Sequence, residues 1–285
     1  MGRIEARFAA LARRGEAALI PFLTAGDPDL DTTLALALAA EAGGADLLEL
    51  GVAFSDPMAD GPTLQRAYAR ALRGGASLPR VLELVTEIRK RSDIPVVLFG
   101  YYNPFYRYGL ERFAHDAGAA GVDGLLCVDL PPEEAAELTA ATDPVGLDVV
   151  LLLAPTSGPD RIRRVTAVSR GFVYVVSVTG VTGARTTLPT ALPAMVARVK
   201  TCTTLPVAVG FGIGAPEQAA WVSSFADAAV VGSALADLIE RHGDARTLPA
   251  RVHEFVATLK RAMVPRAGAP TGVKPIEGKA VRAGE

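Results

Sequence analysis

Short, almost uninterrupted apolar runs recur along the chain, and they restrict its fold more than any other feature. Runs of this length without polar alternation are typical of parallel strands buried on both faces. Ala- and Leu-rich stretches with helical spacing separate them, such as Asp31–Ala42 and Leu192–Lys200. Strands that alternate with helices in this way predict a (β/α)8 barrel. The eight runs are Ala18–Thr24, Leu47–Leu50, Val96–Tyr101, Gly124–Val128, Val149–Leu153, Phe172–Val178, Val207–Val209 and Ala229–Val231.

An open, doubly wound sheet is the alternative arrangement of alternating strands and helices. Its dinucleotide-binding form carries a G-x-G-x-x-G turn after the first strand. Here the first run continues into Thr24-Ala25-Gly26-Asp27-Pro28, which lacks that turn, so the barrel is favoured. The segment Arg3–Arg14 places its apolar residues Ile4, Phe8 and Leu11 at helical spacing. It is therefore predicted to be an extra N-terminal helix that closes the bottom of the barrel.

The composition limits the domain organisation and the possible partners. A single barrel domain is predicted over residues 1–263, and a disordered tail over 264–285, where three Pro and four Gly leave few large apolar residues. A formal net charge of −2 gives no general attraction to nucleic acid or to anionic membranes. No apolar segment approaches the roughly 18 residues of a membrane span. Because Met1–Arg14 also lacks the apolar core of a secretory signal, we expect a cytoplasmic protein.

Glu49 is the sharpest candidate for a catalytic residue. In this fold the catalytic side chains come from the C-terminal ends of the strands and from the loops that follow them. The neighbours of Glu49 at such an end, Leu47, Leu48 and Leu50, are all apolar. Burial there is expected to raise its pKa toward the working range of a general acid–base. A structural carboxylate bonded to nearby backbone amides is the alternative.

Asp60 follows in the Gly- and Pro-bounded loop Phe54–Pro62. Alone, it has the sequence context of an ordinary turn aspartate. Two carboxylates from one strand and the loop after it can, however, reach the same pocket from different sides. The pair Glu49 and Asp60 therefore predicts acid–base catalysis.

Glycines that follow the last predicted strands form a second set of candidates. A phosphate site built by the last loops of a barrel and a helix N-terminus needs backbone N–H groups that no side chain obstructs. Ser233 adds a hydroxyl donor and begins the helical stretch Ala234–Arg241, whose dipole favours an anion. The predicted phosphate-binding residues are Gly183, Gly212, Gly232 and Ser233.

The residue types missing from strand ends narrow the chemistry further. A Schiff-base aldolase needs a lysine at a strand end, whereas all the lysines fall in predicted helices, at helix ends or in the tail. A zinc aldolase needs clustered histidines, and His115, His242 and His253 fall in separate helical stretches. Carboxylate acid–base chemistry on a phosphorylated substrate, without a metal, is what remains.

One segment is recognisable as a family signature. The stretch Leu48–Pro62, LELGVAFSDPMADGP, resembles the signature of the tryptophan synthase alpha chain family. Further stretches resemble the family in the same order, between about Ile20 and Glu240. The family usually has Pro where this chain has Ala53, in a loop position that carries no catalytic group. The further stretches are Tyr101–Pro104, Asp129–Pro131, Ser177–Arg185 and Gly210–Ile213.

The resemblance implies cleavage of indole-3-glycerol phosphate to indole and glyceraldehyde 3-phosphate, a step of tryptophan biosynthesis. It implies that Glu49 transfers the protons at C3 of indole and at the glycerol hydroxyl. Asp60, kept ionised by a more polar loop, is expected to hold the indole N–H. A flat apolar slot for indole is expected as well, with plain barrel core as the alternative for each aromatic residue. The expected pocket residues are Phe22, Phe99, Leu126, Tyr174, Thr182 and Phe211.

A partner is also implied by the resemblance. The alpha chain works with a tryptophan synthase beta chain, in a heterotetramer of two alpha and two beta chains. Pyridoxal phosphate is expected in that partner, and no cofactor is expected in this chain. The loops Phe54–Pro62 and Thr179–Arg185 are expected to close over the substrate, with Thr182 reaching Asp60 in the closed state. Three rival hypotheses stay open: another phosphate-binding barrel enzyme, the same lyase acting alone, and an inactive barrel kept as an allosteric partner.

Overall fold

The computed structural model describes residues 1–176, 190–210, 212–242 and 246–263. The described strands belong to one parallel sheet with the order β5-β4-β3-β2-β1-β9-β8-β7-β6. Their bounds are β1 Ala18–Thr24, β2 Leu48–Gly51, β3 Val96–Gly100, β4 Gly124–Cys127, β5 Asp148–Val150, β6 Leu152–Leu153, β7 Val173–Val176, β8 Val207–Gly210 and β9 Ala228–Val231. All eight predicted strands overlap these segments.

The sheet closes into a barrel at its fifth strand. β5 and β6 stand at opposite ends of the sheet order, yet only Leu151 separates them in the chain. β5 pairs with β4 and β6 pairs with β7, so the break at Leu151 is the point where one strand passes from one neighbour to the other. Counted as one strand, they complete an eight-stranded parallel barrel. The predicted (β/α)8 fold is confirmed.

Helices follow the strands and cover the outside of the barrel. Proline occupies the first turn of several of them, for example Pro62 and Pro216, where its missing N–H removes no intrahelical hydrogen bond. The described α-helices are α1 Arg3–Arg14, α2 Leu30–Ala42, α3 Pro62–Arg73, α4 Leu78–Arg89, α5 Tyr102–Tyr108, α6 Leu110–Ala120, α7 Ala136–Thr142, α8 Pro159–Val168, α9 Leu192–Lys200, α10 Pro216–Ser223, α11 Ser233–His242 and α12 Leu248–Ala262. Short 3-10 turns cover Pro132–Glu134 and Asp143–Val145.

The N-terminal helix closes the bottom of the barrel, as predicted. Ile4, Phe8 and Leu11 of α1 are buried, and they join the cluster of residues that fills the barrel interior. The ring of Phe8 lies 5.8 Å from that of Phe172, which directly precedes β7. The predicted apolar spacing of this segment thus corresponds to its buried face.

Strand alternation decides which side chains reach the interior. On β1, Leu19 and Leu23 pack in the outer cluster with the helices, whereas Ile20 and Phe22 pack inside. Phe22 is in register with Glu49 on β2, so the two side chains lie on the same face of the sheet. The barrel thereby places Glu49 inside, near the C-terminal ends of the strands.

Several predictions fall outside the described residues. Thr182, Gly183 and Phe211 are among them, as is the loop Thr179–Arg185 and the predicted tail 264–285. Within the described ranges, no helix combines the length and the apolar character that a membrane span requires.

Candidate active site

The carboxyl group of Glu49 is buried and unpaired. Only 1% of the residue surface is exposed, and among the described residues neither carboxyl oxygen has a hydrogen-bond partner. Desolvation raises the pKa of Glu49 to about 8. No backbone amide of residues 1–176, 190–210, 212–242 or 246–263 binds this carboxyl group, so these residues do not support the alternative of a structural carboxylate. At neutral pH Glu49 is mostly protonated and can act as an acid.

Asp60 lies in the loop between β2 and α3 and has a different environment. Tyr101 donates a hydrogen bond from its hydroxyl to Oδ2 of Asp60 over 2.7 Å. Burial raises the pKa of Asp60 to about 6, and the hydrogen bond from Tyr101 opposes this rise. The expected polar loop environment was wrong, since Asp60 is only 1% exposed. One phenol, rather than a polar loop, keeps the carboxylate mostly ionised at pH 7.

Tyr101 is a site residue to which the sequence assigned no role. Its hydroxyl accepts a hydrogen bond from the backbone N–H of Ala59 over 3.0 Å while it donates to Asp60. Its ring lies 5.2 Å from that of Phe54, at the other end of the same loop. Burial, with Asp60 beside it, raises the pKa of Tyr101, so the phenol stays protonated. The available signal was its position directly after β3, at the same barrel edge as Glu49.

A cavity beside Glu49 brings most of the described pocket candidates together. The rings of Phe22 and Phe99 meet edge to face, with their centroids 5.1 Å apart. Leu126 packs in the same interior cluster but does not line this cavity. The cavity is lined by Phe22, Glu49, Leu64, Phe99, Tyr174, Val230, Gly232 and Ser233.

A wider groove of about 1370 Å³ opens at the opposite end of the barrel, beside α1. The carboxylate of Asp123 in its wall is bound by Arg3 and Arg89. Side chains at this end of a (β/α)8 barrel serve stability rather than chemistry. The cavity beside Glu49 is therefore the candidate active site.

Two of the predicted phosphate residues, Gly232 and Ser233, lie at the start of α11. Ser233 is the first residue of α11, and Gly232 precedes it at the end of β9. The loop after β8 packs against this helix start, since a Cβ on Gly214 would lie 2.8 Å from Cβ of Ala234. In that loop Gly212 has a φ of +86°, a backbone conformation that favours glycine. Backbone N–H groups and the dipole of α11 can thus bind an anion at the edge of the cavity.

Two glycines at strand ends leave the space that pocket aromatic residues occupy. A Cβ on Gly51 would lie 2.4 Å from the ring of Phe22, and a Cβ on Gly210 would lie 1.7 Å from the hydroxyl of Tyr174. Any larger residue at either position would displace the facing ring. These glycines therefore shape the cavity from the barrel wall.

An ion-pair network ties the helix after Asp60 to the helix of the anion site. Arg70 of α3 binds Asp27 with two hydrogen bonds of 2.8 Å and Glu240 of α11 with one of 2.7 Å. Arg66, one turn earlier, binds both carboxylate oxygens of Glu240. Arg66 and Arg70 hold the pKa of Glu240 down at about 2. The two sides of the cavity are thus joined by paired charges.

Comparison with known proteins gives one consistent family. A family model described as "Tryptophan synthase alpha chain" matches residues 8–264. The tryptophan synthase alpha chain of Citrifermentans bemidjiense is 54% identical over 264 residues, which cover 93% of this chain and 98% of that protein. Tryptophan synthase subunit alpha of Legionella pneumophila str. Paris has a TM-score of 0.84 at 37% identity, covering 92% of this chain and 98% of its own. A chain of Mycobacterium tuberculosis tryptophan synthase has a TM-score of 0.85 at 38% identity, covering 94% and 99%.

Proposed function

The chain belongs to the tryptophan synthase alpha chain family, and we propose that it cleaves indole-3-glycerol phosphate with Glu49 and Asp60 as its acid–base pair. The observation that supports these two residues is the contrast between their carboxyl groups. Glu49 has no hydrogen-bond partner among the described residues and a pKa of about 8, whereas Asp60 accepts a hydrogen bond from Tyr101 and has a pKa of about 6. Two nearby carboxyls with separated pKa values can hold different protonation states at one pH.

The reaction needs both of these states. Protonated Glu49 gives its proton to C3 of the indole ring, which can then accept the electron pair of the bond to the glycerol carbon. As that bond breaks, the adjacent hydroxyl becomes the aldehyde of glyceraldehyde 3-phosphate and loses its proton to the Glu49 carboxylate. Glu49 returns to its starting state, so no proton is consumed overall. Ionised Asp60 accepts a hydrogen bond from the indole N–H and stabilises the positive charge of the ring.

We expect kcat/KM for indole release to be highest between pH 6 and pH 8, the pKa values of Asp60 and Glu49. Below this window Asp60 becomes protonated, and above it Glu49 loses the proton that C3 must receive. Replacing Tyr101 with Phe removes the hydrogen bond that lowers the pKa of Asp60. The acidic limb of the profile should therefore move to higher pH in Tyr101→Phe, while the basic limb stays. An unchanged acidic limb would contradict the role of Asp60.

The glycines at the edge of the cavity support binding of the substrate phosphate, together with Ser233. We expect Gly232→Ala to weaken inhibition by glycerol 3-phosphate by roughly tenfold, since a side chain would stand before the N–H groups that bind the anion. The variant should fold, because the new Cβ would lie 3.6 Å from its nearest neighbour, Cβ of Phe22. Inhibition by indole, which has no phosphate, is the matched control. Equal weakening of both inhibitors would show that the change deforms the pocket as a whole.

Partner and cofactor follow from the family. We propose that the chain acts with a tryptophan synthase beta chain, and that the pyridoxal phosphate of the complex belongs to that partner. The ion pairs of Arg66 and Arg70 with Glu240 connect α3 to α11. They support a coupling in which closure of the Asp60 loop changes the affinity of the anion site. The test is an assay of indole release with and without a beta chain. Activity that the beta chain does not change would favour a lyase acting alone, and no release in either case would overturn the function.

We also propose that residues 1–263 form the whole barrel domain. α12 packs on the barrel through Lys260, which binds Asp46 over 2.6 Å, and it ends at Ala262. The composition of 264–285 offers few apolar residues for further packing.

A further inference from the structure

Tyr68 of α3 has a fully buried phenol whose hydroxyl has no hydrogen-bond partner among the described residues. It packs in the interior cluster with Phe22, Leu64 and Tyr101 rather than among the outer helices. Buried hydroxyls that lack a partner are rare, because the hydrogen bonds to water that they lose are not replaced. This hydroxyl can therefore donate a hydrogen bond to an acceptor that the described residues do not supply.

The direction of the side chain points to the candidate active site. Tyr68 follows Leu64 by one turn of α3, and Leu64 lines the cavity beside Glu49. Helical side chains lean toward the N-terminus, so the phenol leans toward Leu64, although Tyr68 is not itself one of the residues that line the cavity. Burial, followed by the charges of Asp60, Tyr101 and Glu49, raises the pKa of Tyr68 well above its usual value. The phenol consequently keeps its proton and acts as a donor.

Glu49 has the complementary deficiency. Within the part of the chain that the structure describes, both of its oxygens are buried without a donor, while the Tyr68 hydroxyl is a donor without an acceptor. The two groups do not bond to each other, and a single group that lies between them can pair both. A hydroxyl can do so, because its oxygen accepts one hydrogen bond while its proton is donated to another group.

We propose that the hydroxyl of Tyr68 donates a hydrogen bond to the substrate glycerol oxygen whose proton Glu49 accepts. This inference rests on the lyase function proposed above. That oxygen carries partial negative charge in the transition state, as it loses its proton and becomes the aldehyde oxygen. The hydrogen bond that the phenol donates to it strengthens accordingly. Tyr68 keeps its own proton throughout, so it adds no step to the reaction. Its role differs from that of Tyr101, which holds Asp60.

The test compares Tyr68→Phe with wild type, using the substrate and an analogue that lacks this hydroxyl, indole-3-propanol phosphate. We expect kcat/KM for indole release to fall roughly 10- to 100-fold, as for a lost hydrogen bond to an oxygen that becomes charged. The inhibition constant of the analogue should stay within about twofold, since it offers no oxygen to Tyr68. The melting temperature should be unchanged or higher, because Phe removes an unpaired buried hydroxyl.

Ser169 provides a matched control, since its buried hydroxyl also lacks a partner among the described residues but lies at the end of α8, outside the cavity. Ser169→Ala should leave kcat/KM unchanged. The inference is overturned if Tyr68→Phe retains wild-type kcat/KM, or if substrate and analogue lose affinity equally. A wild-type protein that releases no indole overturns the proposed function itself, which separates the two failures.

Discussion

Replacing Glu49 with Gln is expected to lower indole release from indole-3-glycerol phosphate by roughly 10²- to 10⁴-fold, the range of general acid–base contributions. The amide keeps the shape of the side chain inside the barrel but can neither give a proton to C3 nor take one from the glycerol hydroxyl. Inhibition by glycerol 3-phosphate should change by no more than about twofold, because the anion is expected to bind at Gly232 and Ser233 rather than at the Glu49 carboxyl group. A loss of only a few-fold in turnover would refute the assignment.

The same variant should also change how stability depends on pH. The folded pKa of Glu49 is about 8, while that of an unfolded glutamate is about 4.3. Between these values the folded state binds more protons than the unfolded state. The contribution of Glu49 to the free energy of unfolding therefore falls as the pH rises. Gln does not titrate, and the melting temperature of Glu49→Gln relative to wild type should therefore increase from pH 5 to pH 9. A difference that does not vary with pH would mean that Glu49 is ionised in the folded protein.

Asp148 offers a control for this titration. It begins β5 at the bottom of the barrel, and burial raises its pKa to about 6. Asp148→Asn should also gain stability relative to wild type as the pH rises, over a lower window, from about 3.9 to about 6. Its indole release should stay at the wild-type level, because it lies far from the cavity. Only Glu49→Gln should show both the pH-dependent gain in stability and a loss of turnover.

The features predicted from sequence are those that local patterns determine. Glu49 was placed at a buried strand end because its neighbours are apolar, and strand alternation then turns its side chain inward. The positions of Gly232 and Ser233 could be predicted because they follow the last strand and begin a helix, which is where this fold commonly forms a phosphate site. The helical spacing of Ile4, Phe8 and Leu11 predicted the face that α1 buries.

The features that were missed depend on contacts between distant parts of the chain. Asp60 was expected in a polar loop because its sequence neighbours are Gly and Pro, yet Tyr101 from the next strand covers it. The packing of Tyr68 in the interior cluster depends on how α3 is rotated against the barrel, which the residues of α3 alone do not determine. Thr182, Gly183 and Phe211 lie outside the described residues, and their roles stay predictions.

A second large effect is expected from Gly51→Ala, at the end of β2. The added Cβ would lie 2.4 Å from the ring of Phe22, a distance that requires the ring to move. The ring centroids of Phe22 and Phe99 are 5.1 Å apart and both rings line the cavity, so a displaced Phe22 ring changes the space meant for indole. We expect kcat/KM for indole release to fall roughly 10²-fold, as for a misplaced pocket group, and stability to fall by about 1–3 kcal/mol.

A second substitution can separate this cause from a general disturbance of β2. Phe22→Leu on its own lowers activity because it removes part of the pocket surface. Combined with Gly51→Ala, it also removes the ring with which the added Cβ clashes. We therefore expect the double variant to be more active and more stable than the sum of the two single changes predicts, with the non-additivity typical of residues in contact. Gly118→Ala on α6 is the glycine control, since its Cβ would meet no atom closer than 3.5 Å and activity should not change. Strict additivity in the double variant would mean that Gly51 acts through the backbone of β2, beside Glu49, and not through the position of Phe22.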